Sequence, residues 1–154
     1  MTYASCPTAV VDAPVEVVWS LLTDPAHWGD FYDVRAVVVD PPGPASVGQV
    51  VSARSGPRGL GLGVSFRFTL IDPVRFRFCL EARLPMGMTV AEDMNCMAID
   101  ADHCRVAYNC TFGFAPGWRG ALARRLLGRE LRSGPVDSLR RLKAAAERRH
   151  APRS

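Results

Sequence analysis

The middle of the chain alternates between apolar and polar residues. In the segment VSFRFTLID (64–72), every second residue from Val64 to Leu70 is apolar. A period of two places such side chains on one face of a β-strand. Comparable strand patterns occupy residues 8–13, 34–40, 48–55, 75–84, 88–100 and 103–114. Because these strands have one apolar and one polar face, another element must cover the apolar side of the sheet that they form.

Two short helical segments follow the first predicted strand. Pro14 suits the first turn of a helix, where its missing N–H costs nothing, and apolar residues recur at helical spacing over residues 15–22. Asp24 and Pro25 end this helix, because the residue before a proline disfavours helical geometry. Residues 25–32 then form a second short helix, or a turn, that carries three aromatic side chains.

One long helix is predicted at the C-terminal end, over residues 118–149. The apolar residues that keep roughly helical spacing there are Trp118, Leu122, Leu126, Leu131, Val136, Leu139 and Leu142, with arginines between them. Gly134-Pro135 is expected to kink this helix or to split it in two. No other segment has the length to cover the apolar face of the sheet.

The order of these elements predicts an α+β fold. A curved antiparallel sheet of six or seven strands would wrap around the long C-terminal helix, with two short helices after the first strand. A chain of 154 residues suits one domain, which we expect to span residues 1–150, with 151–154 as a flexible tail. Such a sheet leaves space beneath the helix unless very large side chains fill it.

Composition narrows the class of protein. Hydrophobic residues make up 48% of the chain and charged residues 22%, which is typical of a globular domain. No apolar run approaches the roughly 18 residues of a membrane-spanning helix, and no basic residue precedes the first apolar stretch, so no secretory signal is expected. The five cysteines form no CxxC pair, which indicates reduced thiols in a cytoplasmic protein and no metal site.

Positive charge is concentrated at the C-terminal end. Residues 118–154 carry eleven Arg or Lys against three Asp or Glu, whereas residues 1–117 carry eight against twelve. Contact with nucleic acid or an anionic membrane through residues 118–149 is therefore one alternative. The interpretation we favour at this point is a solvated helix face in an arginine-rich protein.

The chain resembles the START/Bet v 1-like (SRPBCC) superfamily, and within it the bacterial polyketide cyclase/dehydrase and lipid-transport group. The resemblance is carried by APVEVVWSLLTDPAHW (13–28), the strand start at Gly48, LIDPVRF (70–76), the hairpin at 99–108 and SLRRLKAAAE (138–147). It implies a helix-grip fold with a deep hydrophobic cavity between the sheet and the long helix. It also implies a function that varies widely among members.

This resemblance further implies which side chains form the cavity wall. In such folds the second short helix lies at the cavity mouth, so Trp28, Phe31 and Tyr32 would be lid or wall residues, and Trp19 would belong to the core. The remaining wall residues are expected to be Phe66, Phe68, Phe78, Met97, Tyr108, Phe112 and Trp118.

Polar groups among apolar walls are the candidates for chemistry, because desolvation changes their pKa values. Both faces of the strand at 88–100 are almost equally apolar. If one face points inward, Glu92 is a buried carboxylate and a general base; if the other does, Asp93 and Asn95 point into the cavity instead. A one-residue shift exchanges the two faces, so periodicity leaves this choice open. Tyr108 is in phase with inward-facing residues, and its hydroxyl suits polarising a ligand carbonyl.

We therefore expect a protein that binds a hydrophobic small molecule, polyketide-like, aromatic or lipid-like, in an internal cavity. For an enzyme, the resemblance implies cyclisation or dehydration without a cofactor, with Glu92, Asn95 or Tyr108 moving protons. The small number of convergent polar groups favours the alternative, a non-catalytic carrier or sensor. No cofactor and no metal are expected, and the protein would be a monomer or a homodimer.

Overall fold

The computed structural model of the protein describes residues 2–55 and 61–151. The strands in these ranges are β1 (Thr2–Ser5), β2 (Thr8–Val11), β3 (Val34–Asp40), β4 (Val50–Ser55), β5 (Leu62–Asp72), β6 (Arg77–Leu84), β7 (Met88–Ala98) and β8 (Cys104–Gly113). The helices are α1 (Val15–Leu22), α2 (Trp118–His150) and two short 3-10 helices, Pro25–Asp30 and Pro85–Gly87. Of the tail predicted at 151–154, residues 152–154 lie outside the described residues.

The described strands form one antiparallel sheet in the order β1-β8-β7-β6-β5-β4-β3, with β2 also paired to β8. This sheet and the long C-terminal helix confirm the helix-grip fold predicted from the sequence. The sheet has eight strands, rather than six or seven. The additional strand is β1, which pairs with one end of β8 while β2 pairs with the other end.

The inner face of the sheet carries the alternating apolar residues. On β5, Val64, Phe66 and Phe68 are buried as predicted, whereas Leu70 is 38% exposed. The pairing of β5 with β6 shifts register between Phe68 and Leu70. A bulge there displaces the side chains that follow, so the alternation predicted for this strand ends at Phe68.

Helix α2 is continuous over 33 residues, so Gly134-Pro135 does not split it. Its C-terminal half covers the inner face of the sheet, where Leu139, Leu142 and Ala146 are buried. Neither α2 nor any other helix in the two described ranges is both long and apolar enough to cross a membrane.

Polar side chains tie the C-terminal half of α2 to the N-terminal strand. Lys143 Nζ donates to the carbonyl oxygen of Val10 at 2.8 Å. Glu147 Oε1 accepts a hydrogen bond from the backbone N–H of Asp12 at 3.0 Å, and it also pairs with Lys143. Because both side chains bind backbone groups at the end of β2, they set the position of the helix along the sheet.

Replacing Leu142 with alanine is expected to lower the free energy of unfolding by about 2–5 kcal/mol, because a buried leucine loses its contacts and leaves a cavity. Leu142 is 1% exposed. Urea unfolding followed by circular dichroism measures the change. The matched control is Leu126→Ala in the same helix, where the leucine is 62% exposed and the expected change is about 0.5 kcal/mol or less. Equal effects at the two positions would contradict this account of how α2 packs.

Candidate functional site

A cavity of about 280 Å³ lies between the sheet and α2. Strands β4 to β8 supply one side, the middle of α2 supplies another, and residues 32–34 complete the wall. Its apolar lining includes Val64, Phe66, Ala82, Leu84, Val90, Phe112, Leu127 and Leu131. Ligand sites commonly have volumes of about 300–1,000 Å³, so this cavity suits a small ligand.

The polar residues of the lining mark where the cavity reaches the surface. Asp33, Ser133 and Arg141 line the cavity and are exposed. Glu92 also lines it but is only 7% exposed. The site thus has a polar mouth, apolar walls and one carboxyl group in its interior.

The structure selects one of the two orientations open for β7. Val90, Glu92 and Met94 are buried together on its inner face. Asp93 lies on the outer face, where its carboxylate accepts hydrogen bonds from Arg77 Nε at 3.0 Å and Arg77 Nη2 at 2.7 Å. Glu92 is therefore the carboxyl group of β7 that lies inside the cavity.

Two residues expected in the site lie on the outer face of β7 instead. Asn95 is half-buried and stands opposite Arg77 in the β6–β7 pairing, and Met97 is 46% exposed. Side chains alternate along a strand, so Asn95 and Met97 share the face of Asp93 once Glu92 points inward. The prediction that Met97 lines the cavity was wrong, and of the two orientations left open for this strand, the one that turns Asn95 inward is not the one observed.

Two tyrosines surround the Glu92 carboxyl group. The Tyr32 hydroxyl donates to Glu92 Oε2 over 3.5 Å, and the Tyr108 hydroxyl also stabilises the carboxylate. The two tyrosine rings meet edge-on, with centroids 6.4 Å apart. Burial, and after it the charge of Glu92, raises the pKa of both tyrosines well above the ordinary value of 10. Both hydroxyls therefore remain protonated and act as donors at neutral pH.

Burial raises the pKa of Glu92 from its ordinary value of 4.5 to about 7. Removal of a carboxyl group from water disfavours its charged form, and the hydroxyls of Tyr108 and Tyr32 limit the rise because they favour that form. A carboxyl group with this pKa exchanges its proton near neutral pH. That property is required of a general acid or base.

Trp28 holds Tyr32 in place from behind the cavity wall. The Trp28 indole N–H donates to the carbonyl oxygen of Leu22 at 3.0 Å, and the Trp28 carbonyl oxygen accepts from the N–H of Tyr32 at 2.8 Å. The indole ring also packs edge-on against Tyr32 and Phe66, with centroids 5.2 and 5.7 Å away. Trp28 is 0% exposed and does not line the cavity, so it is a packing residue rather than the lid or wall residue that the resemblance implied.

The other expected wall residues divide into three groups. Tyr32, Phe66, Tyr108 and Phe112 line the cavity. Phe31, Phe68 and Phe78 are buried in the core behind that lining. Trp118 is 71% exposed, so the prediction that it lines the cavity was wrong. In the first turns of α2, the buried residues are the small Gly120 and Ala123. Trp19, expected in the core, is half-buried and packs edge-on against Phe76.

Sequence reasoning placed α2 at the cavity but missed Leu127 as one of its lining residues. The apolar pattern placed Leu126 on the inner face, yet Leu126 is 62% exposed, whereas the adjacent Leu127 lines the cavity. Successive residues of a helix are rotated by about 100°, so the two leucines face different directions. The sequence feature that could have identified Leu127 is its four-residue spacing from Leu131, which places both side chains on one side of the helix.

A sheet closed over a long C-terminal helix, with a ligand-sized cavity between them, defines the helix-grip class of ligand-binding folds. Residues 7–147 match the family described as polyketide cyclase/dehydrase and lipid transport. The chain belongs to this family. No match was found among curated proteins, and within residues 2–55 and 61–151 no three His, Cys, Asp or Glu side chains are arranged to hold a metal ion.

Solved structures share the fold over almost the whole chain. The Zhui aromatase/cyclase from Streptomyces sp. R1128 has a TM-score of 0.80 at 22% identity, covering 97% of this chain and 96% of the other. Norcoclaurine synthase from Thalictrum flavum, in complex with dopamine and hydroxybenzaldehyde, has a TM-score of 0.73 at 13% identity, covering 99% and 90%. Ara h 8.0201 has a TM-score of 0.70 at 11% identity, covering 95% and 98%. At these identities the likeness shows the fold alone.

The raised pKa of Glu92 is expected to make the protein less stable as pH rises from about 4.5 to 7. The folded state holds the Glu92 proton more tightly than the unfolded chain does, so protonation of Glu92 adds to the free energy of unfolding. This stabilisation is fully present below the pKa of the unfolded chain and is lost as pH rises through the pKa of the folded state. The expected loss is about 3 kcal/mol. Unfolding by urea across this pH range, compared with Glu92→Gln, measures it.

In Glu92→Gln this part of the pH dependence should disappear, because glutamine does not titrate. Carbon NMR of the labelled Glu92 carboxyl group gives the pKa directly. A midpoint near 4.5, together with equal pH dependence in the two proteins, would contradict the burial of this group.

Proposed function

We propose that the protein binds a hydrophobic, carbonyl-containing small molecule and catalyses its cyclisation or dehydration without a cofactor, with Glu92 as the proton-transfer group. The observation that carries this proposal is the Glu92 carboxyl group in an apolar cavity, with a pKa of about 7 and two tyrosine hydroxyls around it. A carrier needs apolar walls but has no use for a carboxyl group kept near its point of half-ionisation.

The residues suit ring closure by an intramolecular aldol reaction. The Glu92 carboxylate removes a proton from a carbon beside a carbonyl group, and the hydroxyl of Tyr108 or Tyr32 donates to that carbonyl oxygen while it gains negative charge. The resulting carbanion attacks a second carbonyl carbon, which forms the new C–C bond and an alkoxide that takes up a proton. Dehydration then removes a second proton from carbon and releases the hydroxyl group as water. Only protons and water are exchanged, so the chemistry requires no cofactor.

The dimensions of the cavity favour a substrate of about two rings. A cavity of about 150 Å³ holds one benzene molecule, and this cavity has about 280 Å³. Aromatic and polyketide-like compounds of about two rings fit this volume and carry carbonyl groups. The names of the similar structures support the same class, since one is an aromatase/cyclase and another was solved with dopamine and hydroxybenzaldehyde. A longer chain would extend through the polar mouth.

A non-catalytic carrier or sensor is the second candidate function. It is favoured by the cavity lining, which is mostly apolar and has only one buried charged side chain among the described residues, Glu92. In either role we place the protein in the cytoplasm, because all five cysteines are free thiols and reducing conditions keep them so.

A base-catalysed probe reaction tests the proposed role of Glu92 without knowledge of the natural substrate. In 5-nitrobenzisoxazole, a bicyclic compound, a base removes one C–H proton, the N–O bond breaks and a coloured cyanophenolate is released. We expect kcat/KM to rise with pH through a midpoint near 7, because Glu92 acts only when ionised. Glu92→Gln should lower kcat/KM by about 10²-fold or more.

Two further variants sharpen this assay. Asp93→Asn removes a carboxylate from the same strand but from its outer face, and it should leave the rate and the pH midpoint unchanged. Tyr108→Phe should move the midpoint to higher pH, because it removes a hydroxyl that favours the ionised form of Glu92. Equal losses in Glu92→Gln and Asp93→Asn would refute Glu92 as the base.

Ligand binding in the cavity is tested by filling it. Ala82 lines the cavity and is 1% exposed, so Ala82→Leu should occupy space and weaken binding of the two-ring probe 2-naphthol by about tenfold or more. Fluorescence titration measures the dissociation constant. The control is Ala91→Leu, because Ala91 is exposed on the outer face of β7 and its replacement should leave binding unchanged. If both variants bind 2-naphthol like the wild type, the probe binds elsewhere.

Native mass spectrometry of protein purified from its own host separates the enzyme from the carrier. A bound compound that is cyclised or dehydrated relative to its precursor in the same extract supports the enzyme, provided that Glu92→Gln retains the precursor. Retention of one unchanged compound by both proteins supports the carrier.

A further inference from the structure

The N-terminal half of α2 presents an apolar face that no described part of the chain covers. Trp118, Leu122 and Leu126 are 71%, 40% and 62% exposed. Their four-residue spacing places them in one row along the helix, on the same side as Arg125 and Arg129. These five residues form the outer face of α2.

The opposite side of this helical segment is the one that packs against the protein. Ala123 is buried there, and Leu127 and Leu131 line the cavity. The segment is therefore apolar on both sides, but only one side is used inside the fold. Surface helices usually expose polar residues on the side away from the core, so the outer face of α2 departs from that pattern.

The charge around these apolar residues is strongly positive. Residues 118–133 contain five arginines and one acidic residue, and Arg125 and Arg129 lie within the row itself. Helices that combine a tryptophan and leucines with basic side chains lie in the interface of lipid bilayers. Each basic side chain near an anionic membrane surface adds attraction to the lipid headgroups.

We propose that the outer face of α2 docks the protein on the surface of an anionic phospholipid bilayer. The three apolar side chains insert at the level of the headgroups, and the arginines bind lipid phosphates. Nucleic acid would satisfy the arginines but would leave the two leucines in water. Docking does not depend on the proposed function, because it needs neither the cavity nor Glu92.

The outer face and the cavity mouth lie on the same helix, so docking affects how a ligand reaches the cavity. Ser133 lies at the cavity mouth one helical turn after Arg129, and Arg141 lies at the mouth further along the same helix. A protein held by this helix has its cavity mouth close to the bilayer. A hydrophobic ligand dissolved in the membrane could then reach the cavity with little exposure to water.

Flotation with lipid vesicles tests the proposal. The full-length protein is expected to float with vesicles of phosphatidylcholine and phosphatidylglycerol but not with vesicles of phosphatidylcholine alone, and added salt should weaken binding. Tryptophan emission should shift to the blue on binding, because Trp118 is exposed whereas Trp28 is buried. Trp118→Phe should remove most of that shift.

Paired variants separate the outer face from the rest of the surface. Leu122→Gln with Leu126→Gln should weaken binding to the anionic vesicles by about tenfold or more. The matched control, Val38→Gln with Val74→Gln, removes two residues that are 63% and 86% exposed elsewhere and should have no effect. Glutamine forms helices well, and circular dichroism verifies that all variants are folded.

The arginines have a control of the same kind. Arg125→Gln with Arg129→Gln should weaken vesicle binding by about fivefold for each arginine, whereas Arg67→Gln with Arg83→Gln, on the exposed outer face of the sheet, should change it little.

Three results would overturn the proposal. The first is equal binding to both kinds of vesicle. The second is that the protein binds a DNA duplex but not vesicles, and that Arg125→Gln with Arg129→Gln abolishes the DNA binding. The third is that analytical ultracentrifugation shows a dimer for the wild type but a monomer for Leu122→Gln with Leu126→Gln. The outer face would then bind a second copy of the chain.

Discussion

The burial of the Glu92 carboxyl group is the constraint on which the site depends. A carboxylate without partners in an apolar interior takes up a proton instead of remaining charged. The rise in the pKa of Glu92 from 4.5 to about 7 corresponds to a penalty of about 3 kcal/mol on the charged form. The hydroxyls of Tyr32 and Tyr108 keep this penalty from growing further. The carboxyl group is therefore able both to take up and to release a proton near neutral pH.

The environment of Glu92 exists because α2 does not fill the space above the sheet. The C-terminal half of α2 is held on the sheet through Leu139 and Leu142 and through the bonds of Lys143 and Glu147 to the end of β2. Over the cavity, the helix contributes Leu127 and Leu131 as walls rather than as core. Because α2 is fixed to the sheet at its C-terminal end, the space between the sheet and the middle of the helix remains open as the cavity.

The aromatic cluster after α1 serves the site indirectly. Trp28 is fully buried and holds the backbone of Tyr32 by a hydrogen bond, so the tyrosine reaches Glu92 from a segment that is itself anchored in the core. This arrangement explains three aromatic residues within five positions. Phe31 and Trp28 pack, and Tyr32 lines the cavity.

The sequence by itself determined the order of strands β2 to β8 and of the helices between and after them, the fold class and the presence of a carboxyl group on β7. These follow from the period of apolar residues and from helix signals, which are local properties of the chain. The inward direction of Glu92, its meeting with Tyr32 from 60 residues away, and the exposure of Trp118 and Leu126 were decided only by the tertiary structure. Strand register, the bulge in β5 and the rotation of α2 depend on contacts between distant segments, and a local pattern of apolar residues does not contain them.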